Sequence, residues 1–533
     1  MAGMQDPPAS RVDSRAWIGL SLLMVPVFMT ALDMTVLFLA IPTIAADLLP
    51  SGTQQLWVLH IGDIAGAGLV LTAGRLVDRF GPRRLLTLGM LAYGLASALA
   101  AFAPSVEVLI VARMLLGASA VTMAPAGMAL LRRMFPIPRQ FSTAVALFMA
   151  AFSGGMALGP PVGGVMLEHF WWGSIFLVNV PVALAVALLA RRLLPNVDGT
   201  GTGRVDVLSI GLSLTGIVGI VYGVQELAAS GWNVVHGLAA AAGVLLIAAF
   251  VRRQRMLADP LLDLTLFRSV PFSLGLVAIW LVITATAGAD LQFAQHLQVV
   301  IGHSPLAAGA LLVIPALVSV AATAASPVLL RWLRPGNAIG LGVLVALAGA
   351  VSMLMVVSAG PESSTLLLVG AAALLAAGVA PVFALGTNVV LTHAPVHQTG
   401  SAQAMQEVGG SLGNTAGLAL GGTVAYVGYS RALQDTLPSG LDHQAAEQSV
   451  QNIGGAITAT QDLPPDLAAQ LSEAAQAAFT VATRDAYLLA AIGLAVLAVL
   501  VFWGLRTARI DEEPHGEADP VAGRSEEADQ CHS

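Results

Sequence analysis

The sequence predicts an all-α membrane protein with fourteen transmembrane helices, and three observations predict it. Of 533 residues, 56% are hydrophobic and only 10% charged, with a mean hydropathy of +0.81. Soluble domains carry roughly 25% charged residues, so this chain could not cover itself in polar surface. The apolar residues come in blocks of about 20, the length of a helix crossing a hydrocarbon core of about 30 Å, and not in alternating segments of about 10 as in a barrel. Finally, arginines recur in every second connection between blocks.

In chain order the blocks fall at 17–43, 55–76, 85–103, 106–131, 141–167, 172–194, 205–226, 232–251, 270–297, 305–331, 336–358, 363–390, 401–428 and 486–506. The start of the chain shows no signal-peptide cleavage pattern, so the first block is expected to remain. Arg11 and Arg15 precede it, and Arg75, Arg79, Arg83 and Arg84 surround the second connection. Arg132, Arg133 and Arg139 fall in the fourth, Arg191, Arg192 and Arg204 in the sixth. Arg252, Arg253, Arg255 and Arg268 fall in the eighth, Arg331 and Arg334 in the tenth, and Arg506 and Arg509 follow the last block. The intervening connections hold only Arg431 and Arg484. Because short cytoplasmic loops collect positive charge, both termini are expected in the cytoplasm.

Two segments read as lying outside the bilayer. Residues 429–485 hold seven acidic residues against two arginines, and their Ala/Gln/Leu content predicts one or two short amphipathic helices in an external loop. Such a loop is either an acidic vestibule for cations or a solvated cap. The acidic tail 507–533 has no apolar period over most of its length and is expected to be disordered. Leu76–Gly89 has a weak echo in Leu329–Gly342, each after the second helix of a six-helix half. The expected organisation is a cytoplasmic N-terminus (1–16), a six-helix bundle (17–194), an inserted helix pair (205–251), and a second six-helix bundle (270–506). Repeated halves of this kind build many secondary transporters.

Two absences exclude function classes. All 24 basic residues are arginine; without a lysine there is no P-loop, hence no ATP-driven pump from this chain alone, and no Schiff base. The single cysteine, Cys531, excludes an internal disulfide and a cysteine-based metal cluster. The net charge of −7 comes mostly from the tail and one loop and says little about partners.

Ionisable groups at mid-membrane cost at least about 2.5–3.5 kcal/mol and are functional candidates by default. The chain places Asp33 in the first span, His60 and Asp63 three residues apart on one face of the second, and Arg113 in the fourth. Asp290 lies in the ninth span near Gln292, Gln295 and Gln298; Glu407 lies in the thirteenth, on a stripe with Gln403, Ser411 and Asn414. Carboxylates outnumber the one arginine, which suits cationic ligands. A buried carboxyl can hold a proton near neutral pH, and a cation nearby favours the ionised form, so the two compete. The ordinary alternative for each acid is a structural pair, for instance with Arg113. In the fifth span Gly155, Gly159 and Gly163 fall four apart, allowing close approach of another helix, and Pro160 with Pro161 permits a bend.

With these residues in place, the chain resembles the major facilitator superfamily, specifically the fourteen-span drug/proton antiporters of the QacA/SmvA type that export quaternary ammonium compounds and other drugs. Four motifs carry the resemblance: Asp33, Thr35 and Pro42 in the first span; Gly74, Asp78, Arg79, Gly81, Arg83 and Arg84 around the second connection; Arg113 with Gly117; and Gly155, Gly159, Pro160, Gly163 and Gly164. The stretch from Gly400 through Glu407 to Gly417 and the long external loop are also similar. The resemblance implies two six-helix bundles with two inserted helices. It implies proton coupling at Asp33 tuned by Arg113, a conformational latch around Asp78 and its arginines, a bias to export from the fifth-span glycines, and a substrate or proton contact at Glu407. The chain departs from the family where His60 stands for a usual Asp, with Asp63 one turn on; Phe38 replaces a usual Asn; Pro82 takes a position that is often polar; and Asp290 matches no typical position.

The expected function is therefore proton-coupled export of cationic amphiphiles by alternating access, from a bacterial plasma membrane. No cofactor and no metal are expected, since a proton gradient drives the cycle. The expected partners are protons, small-molecule drugs and the bilayer, not nucleic acid. A monomer is expected because each chain holds both halves. The departures leave open a narrow-range exporter of a neutral or anionic natural product. No enzyme is expected, as no nucleophile–base pair or metal constellation stands out.

Overall fold

The computed structural model describes residues 14–196, 199, 206–230, 233–257, 264–359, 364–393, 399–461 and 463–504. The expected tail 507–533 and Arg11, Arg204, Arg506 and Arg509 lie outside the described residues. The N-terminal bundle is built from α1 (Ser14–Leu48), α2 (Gly52–Phe80), α3 (Pro82–Ala101), α4 (Val106–Ala120), α5 (Met123–Met134), α6 (Pro138–His169), α7 (Ser174–Leu177) and α8 (Asn179–Leu193). The inserted pair is α9 (Val207–Ser230) and α10 (Val234–Met256). The C-terminal bundle comprises α11 (Val270–Val299), α12 (Pro305–Leu329), α13 (Pro335–Ser358), α14 (Thr365–Thr392), α15 (Thr399–Thr436) and α18 (Pro465–Gly504), with the short α16 (His443–Gln451) and α17 (Ile453–Gln461) between the last two.

Among the described residues, twelve helical spans are long and apolar enough to cross a membrane, counting α4–α5 and α7–α8 as one broken rod each. The other two expected spans correspond to α2 and α15. They run 29 and 38 residues but carry the polar residues of the candidate site. Local chemistry sets their ends. A capping box of Ser51 and Gln54 starts α2. Gly81, at φ 83°, turns the chain into α3, a conformation that side-chain-bearing residues rarely adopt.

Each bundle has its own apolar core, around Leu23, Tyr93, Phe148 and Phe176 in the first and Phe293, Ile339, Tyr487 and Leu494 in the second. Small residues set the spacing between the bundles, as expected where lipid offers no hydrophobic drive for helix association. Gly52 packs on Tyr426 and Gly422 on Leu56 along the α2–α15 seam. Gly309 meets the backbone of Pro160 and Gly164 that of Pro305 along the α6–α12 seam.

The segment expected as an external loop is largely helical. α15 continues to Thr436 and α18 starts at Pro465, well ahead of the expected span at 486. Tyr429, Leu433, Ile453, Leu471 and Phe479 bury a cluster beneath α16 and α17. The segment is thus a packed cap that contains the two short helices the sequence predicts, α16 and α17. It grips the first bundle. Asn452 Nδ2 donates to the Pro50 carbonyl at 2.5 Å, Thr458 Oγ1 donates to the Ala46 carbonyl at 3.2 Å, and Gly454 lies against Ala45.

The inserted pair is clipped at its other end. Arg253 forks onto Asp206, just ahead of α9, with two hydrogen bonds of 3.1 Å, and Ser209 Oγ donates to the same carboxylate at 2.6 Å. The guanidinium and the hydroxyl hold the Asp206 carboxyl down at about 2. A carboxyl depressed by folding contributes its stability above its unfolded value near 4 and loses it as pH falls toward 2. Asp206→Asn should therefore lower the unfolding temperature by the equivalent of about 1 kcal/mol. The difference from wild type should be the same at pH 5 and pH 8 in detergent melts.

Candidate functional site

The site is built where α1, α2 and α4 converge. Gly62 and Gly117 let α2 and α4 touch backbone to backbone; a side chain at Gly117 would strike the Gly62 carbonyl. That approach carries Arg113 through to α1. Its Nη1 donates to Asp33 Oδ2 at 2.5 Å, its Nε donates to the Val58 carbonyl at 3.2 Å, and its guanidinium carbon stands 5.9 Å from the centre of the Phe176 ring. The side chains are 7% and 13% exposed. Breaking such a buried pair by removing one partner costs about 3–5 kcal/mol, because the other charge is stranded.

The expected shared face of His60 and Asp63 is divided between two neighbours. Asp63 accepts a hydrogen bond from the Asn414 amide of α15, across the bundle interface. His60 is fully buried and turned to α9, with Nε2 2.9 Å from Gln225 Nε2 and its ring edge-on to Trp57. The amide nitrogen donates, so His60 Nε2 accepts. His60 Nδ1 and Gln225 Oε1 have no hydrogen-bond partner among the described residues.

Two acids stand apart. Glu407 lies on the Asn414 face of α15, two turns or about 10.5 Å along the helix; Asp290 lies on α11. Both are exposed, and neither has a hydrogen-bond or ion-pair partner among the described residues. Gln292 and Gln295 are buried, and Gln298 donates to the carbonyl of Ala294 on its own helix at 3.2 Å. The side chain of Gln403 lies outside the described residues.

The fifth-span glycines do what their spacing predicts, and α1 is the partner. Gly155 packs on Phe28 and Ala31, Gly159 on Leu32 and Thr35, Gly163 on Val36. Thr35 has a role that the sequence only hinted at. Pro160 has no N–H to offer the carbonyl of Met156 four residues back. Thr35 Oγ1 approaches that carbonyl at 3.2 Å, and its own Leu32 carbonyl at the same distance. The adjoining face of α6, about 100° round the helix, presents Gly164 and Pro160 to α12, so one helix serves both contacts.

Around the expected latch, Arg83 Nη1 donates to the Leu194 carbonyl at 3.4 Å and Arg79 stands over the Phe80 ring. Both contacts are within the N-terminal bundle, and Arg75 and Arg84 are also engaged. Gly74 is exposed with open space around it. The side chain of Asp78 lies outside the described residues.

Four residues escaped the sequence reading. Gly62, Gly309 and Phe176 are ordinary in a membrane helix, and only their neighbours give them roles. Gln225 carried a signal, being a lone amide in the apolar run of α9.

Thr35→Val should leave the Met156 carbonyl without its donor and destabilise the protein by about 1–3 kcal/mol. Thr35→Ser should lose less than half of that, both read by thermal unfolding in detergent.

A family model described as Major Facilitator Superfamily matches residues 23–418. The multidrug efflux pump LfrA of Mycolicibacterium smegmatis is 36% identical over 495 residues, covering 93% of this chain and 97% of its own. The methyl viologen resistance protein SmvA of Salmonella typhimurium is 31% identical, covering 93% and 99%. The tetracenomycin C resistance and export protein of Streptomyces glaucescens is also 31% identical, covering 96% and 95%. Among solved structures, an inward-facing bacterial homologue of the lysosomal transporter Spinster superposes with a TM-score of 0.63 at 14% identity, covering 94% of this chain and 99% of that one. That likeness concerns the fold.

Proposed function

The chain belongs to the Major Facilitator Superfamily, and from that membership we propose that it is an antiporter that exports cationic amphiphiles, quaternary ammonium compounds and dyes among them, in exchange for protons. The observation that carries the reading is the charge balance of the site. Among the described residues, Asp33, Asp63, Asp290 and Glu407 stand against Arg113, and Glu407 and Asp290 are exposed with no hydrogen-bond or ion-pair partner. A cation and a proton compete for the same carboxylates. Deprotonation on the cytoplasmic side admits substrate, and protonation outside releases it as the bundles rock about the site.

The energetics constrain the exchange. One pH unit supplies about 1.4 kcal/mol per proton, and 100 mV about 2.3 kcal/mol per net charge moved. One proton for one monovalent cation is electroneutral, so the pH gradient alone would drive it. A divalent cation needs two protons to stay electroneutral, hence two carboxylates. In this reading the protein works as a monomer with both termini in the cytoplasm of a bacterium. It takes its energy from the gradient, without a cofactor.

A second reading, a narrow exporter of a neutral or anionic natural product, draws on His60. At the position where similar transporters usually carry an acid, this chain puts a histidine that faces α9, not the other site residues. The named function of the Streptomyces relative points the same way.

Proteoliposomes with an imposed pH gradient separate the two. Ethidium should move against its gradient with wild type, and Asp33→Asn should reduce that movement at least tenfold. No ethidium movement by folded protein, with transport of anionic or neutral antibiotics instead, would overturn the cation reading.

A further inference from the structure

The contacts along α2 and α15 share one antiparallel register. Gly52 meets Tyr426, Leu56 meets Gly422, and Asp63 meets Asn414. The Asp63–Asn414 hydrogen bond is thus the innermost tooth of the seam that must part if the capped end is to open. The other side-chain hydrogen bonds joining the two bundles among the described residues lie at the rim, Ser304 to Glu168, or in the cap.

Arg113 stands directly behind this tooth. Its Nη2 lies 3.9 Å from the point that a Cβ on Gly62, the residue before Asp63, would occupy, and its guanidinium and the Asp63 carboxylate act on each other electrostatically. At present Arg113 is committed to Asp33 on α1.

We propose that the Asp63–Asn414 hydrogen bond is a clasp between the bundles, and that substrate opens it by releasing Arg113 from Asp33 to Asp63. The proposal rests on the cation-exchange reading and adds to it the pair that carries the site's occupancy to the seam. A cation arriving at Asp33 takes the place of the guanidinium. Asp63 is the adjacent carboxylate that can receive it. An arginine–carboxylate fork is stronger than an amide–carboxylate bond, so Asn414 is displaced and α15 can peel from α2. Asn414 acts in this scheme as a positioning residue that need not touch the substrate. A phenylalanine or leucine at its place would hold the seam by packing alone and could not sense charge.

The test uses full-length protein carrying Cys531→Ser, with spin labels at Phe170→Cys, directly after α6, and Leu366→Cys on α14. Both native side chains are exposed, at 60% and 78%, on helix ends near the cap. Distance distributions are recorded in nanodiscs with and without ethidium, and ethidium affinity is measured by fluorescence. In wild type, ethidium should transfer population from a short to a longer distance. Asn414→Ala should lower the short-to-long ratio about tenfold without ethidium, the worth of one charged hydrogen bond. Asn414→Ser, which keeps a donor, should restore at least half of that. Asp63→Asn, which lacks the carboxylate that receives Arg113, should bind ethidium more weakly than wild type and, even at saturating ethidium, show no ethidium-driven shift.

An Asn414→Ala distribution equal to that of wild type would overturn the clasp, as would a full ethidium response in Asp63→Asn. The ethidium-free comparison of wild type, Asn414→Ala and Asn414→Ser reads the clasp even if ethidium does not bind. Failure of the cation reading is seen separately, as absent ethidium binding in wild type.

Discussion

A single buried guanidinium organises the first bundle. Arg113 cannot lie inside a membrane helix bundle without a counter-charge, and Asp33 supplies one. The remaining donors need acceptors too, and the Val58 carbonyl provides one of these. That geometry requires α2 and α4 to meet at Gly62 and Gly117, and it fixes α1 against both. One charge therefore sets the relative positions of three helices. Any ligand that competes for Asp33 acts on all of them at once, which is how a chemical event at one carboxylate can become a movement of helices.

The second organising element is α6, which is flat on two sides. Its glycines bring it onto α1, and Gly164 with Pro160 bring it onto α12. Proline would ordinarily leave an unpaired carbonyl in such a helix. Here the missing donor is replaced from the neighbouring helix by Thr35, two residues beyond Asp33. The acid of the site and the proline pair of α6 are consequently tied through one short stretch of α1. Smooth surfaces with few interlocking side chains favour sliding and rocking over rigid fixation.

Much of this was legible in the sequence, and the reasons are physical. Bilayer thickness fixes the length of an apolar block, so most helices could be delimited. Intramembrane charge is costly, so Asp33, Arg113, Asp63 and Glu407 stood out. Four-residue glycine spacing identified a close helix contact, although not its partner. What failed to show was anything that depends on neighbours distant in sequence. The offset of three placed His60 and Asp63 together, but α9 and α15 divide that face between them. In the cap, the short helices were legible from their amphipathic composition, but the extension of α15 and α18 into it was not, because it depends on packing between segments distant in sequence. Asp290 drew attention with its neighbouring glutamines, yet those side chains are buried or turned to their own backbone.

The position of α9 makes the molecule unequal on its two flanks. It lies against both α2 and α15, with Leu214 on Gly68 and Gln225 on His60, and so shields the line where the bundles meet on that side. No inserted helix covers the corresponding α6–α12 line among the described residues. A lipophilic molecule dissolved in the surrounding leaflet thus faces a wall on one flank and the uncovered but closely packed α6–α12 seam on the other. If the bundles part, acyl chains can reach the seam directly only where no inserted helix stands in front of it.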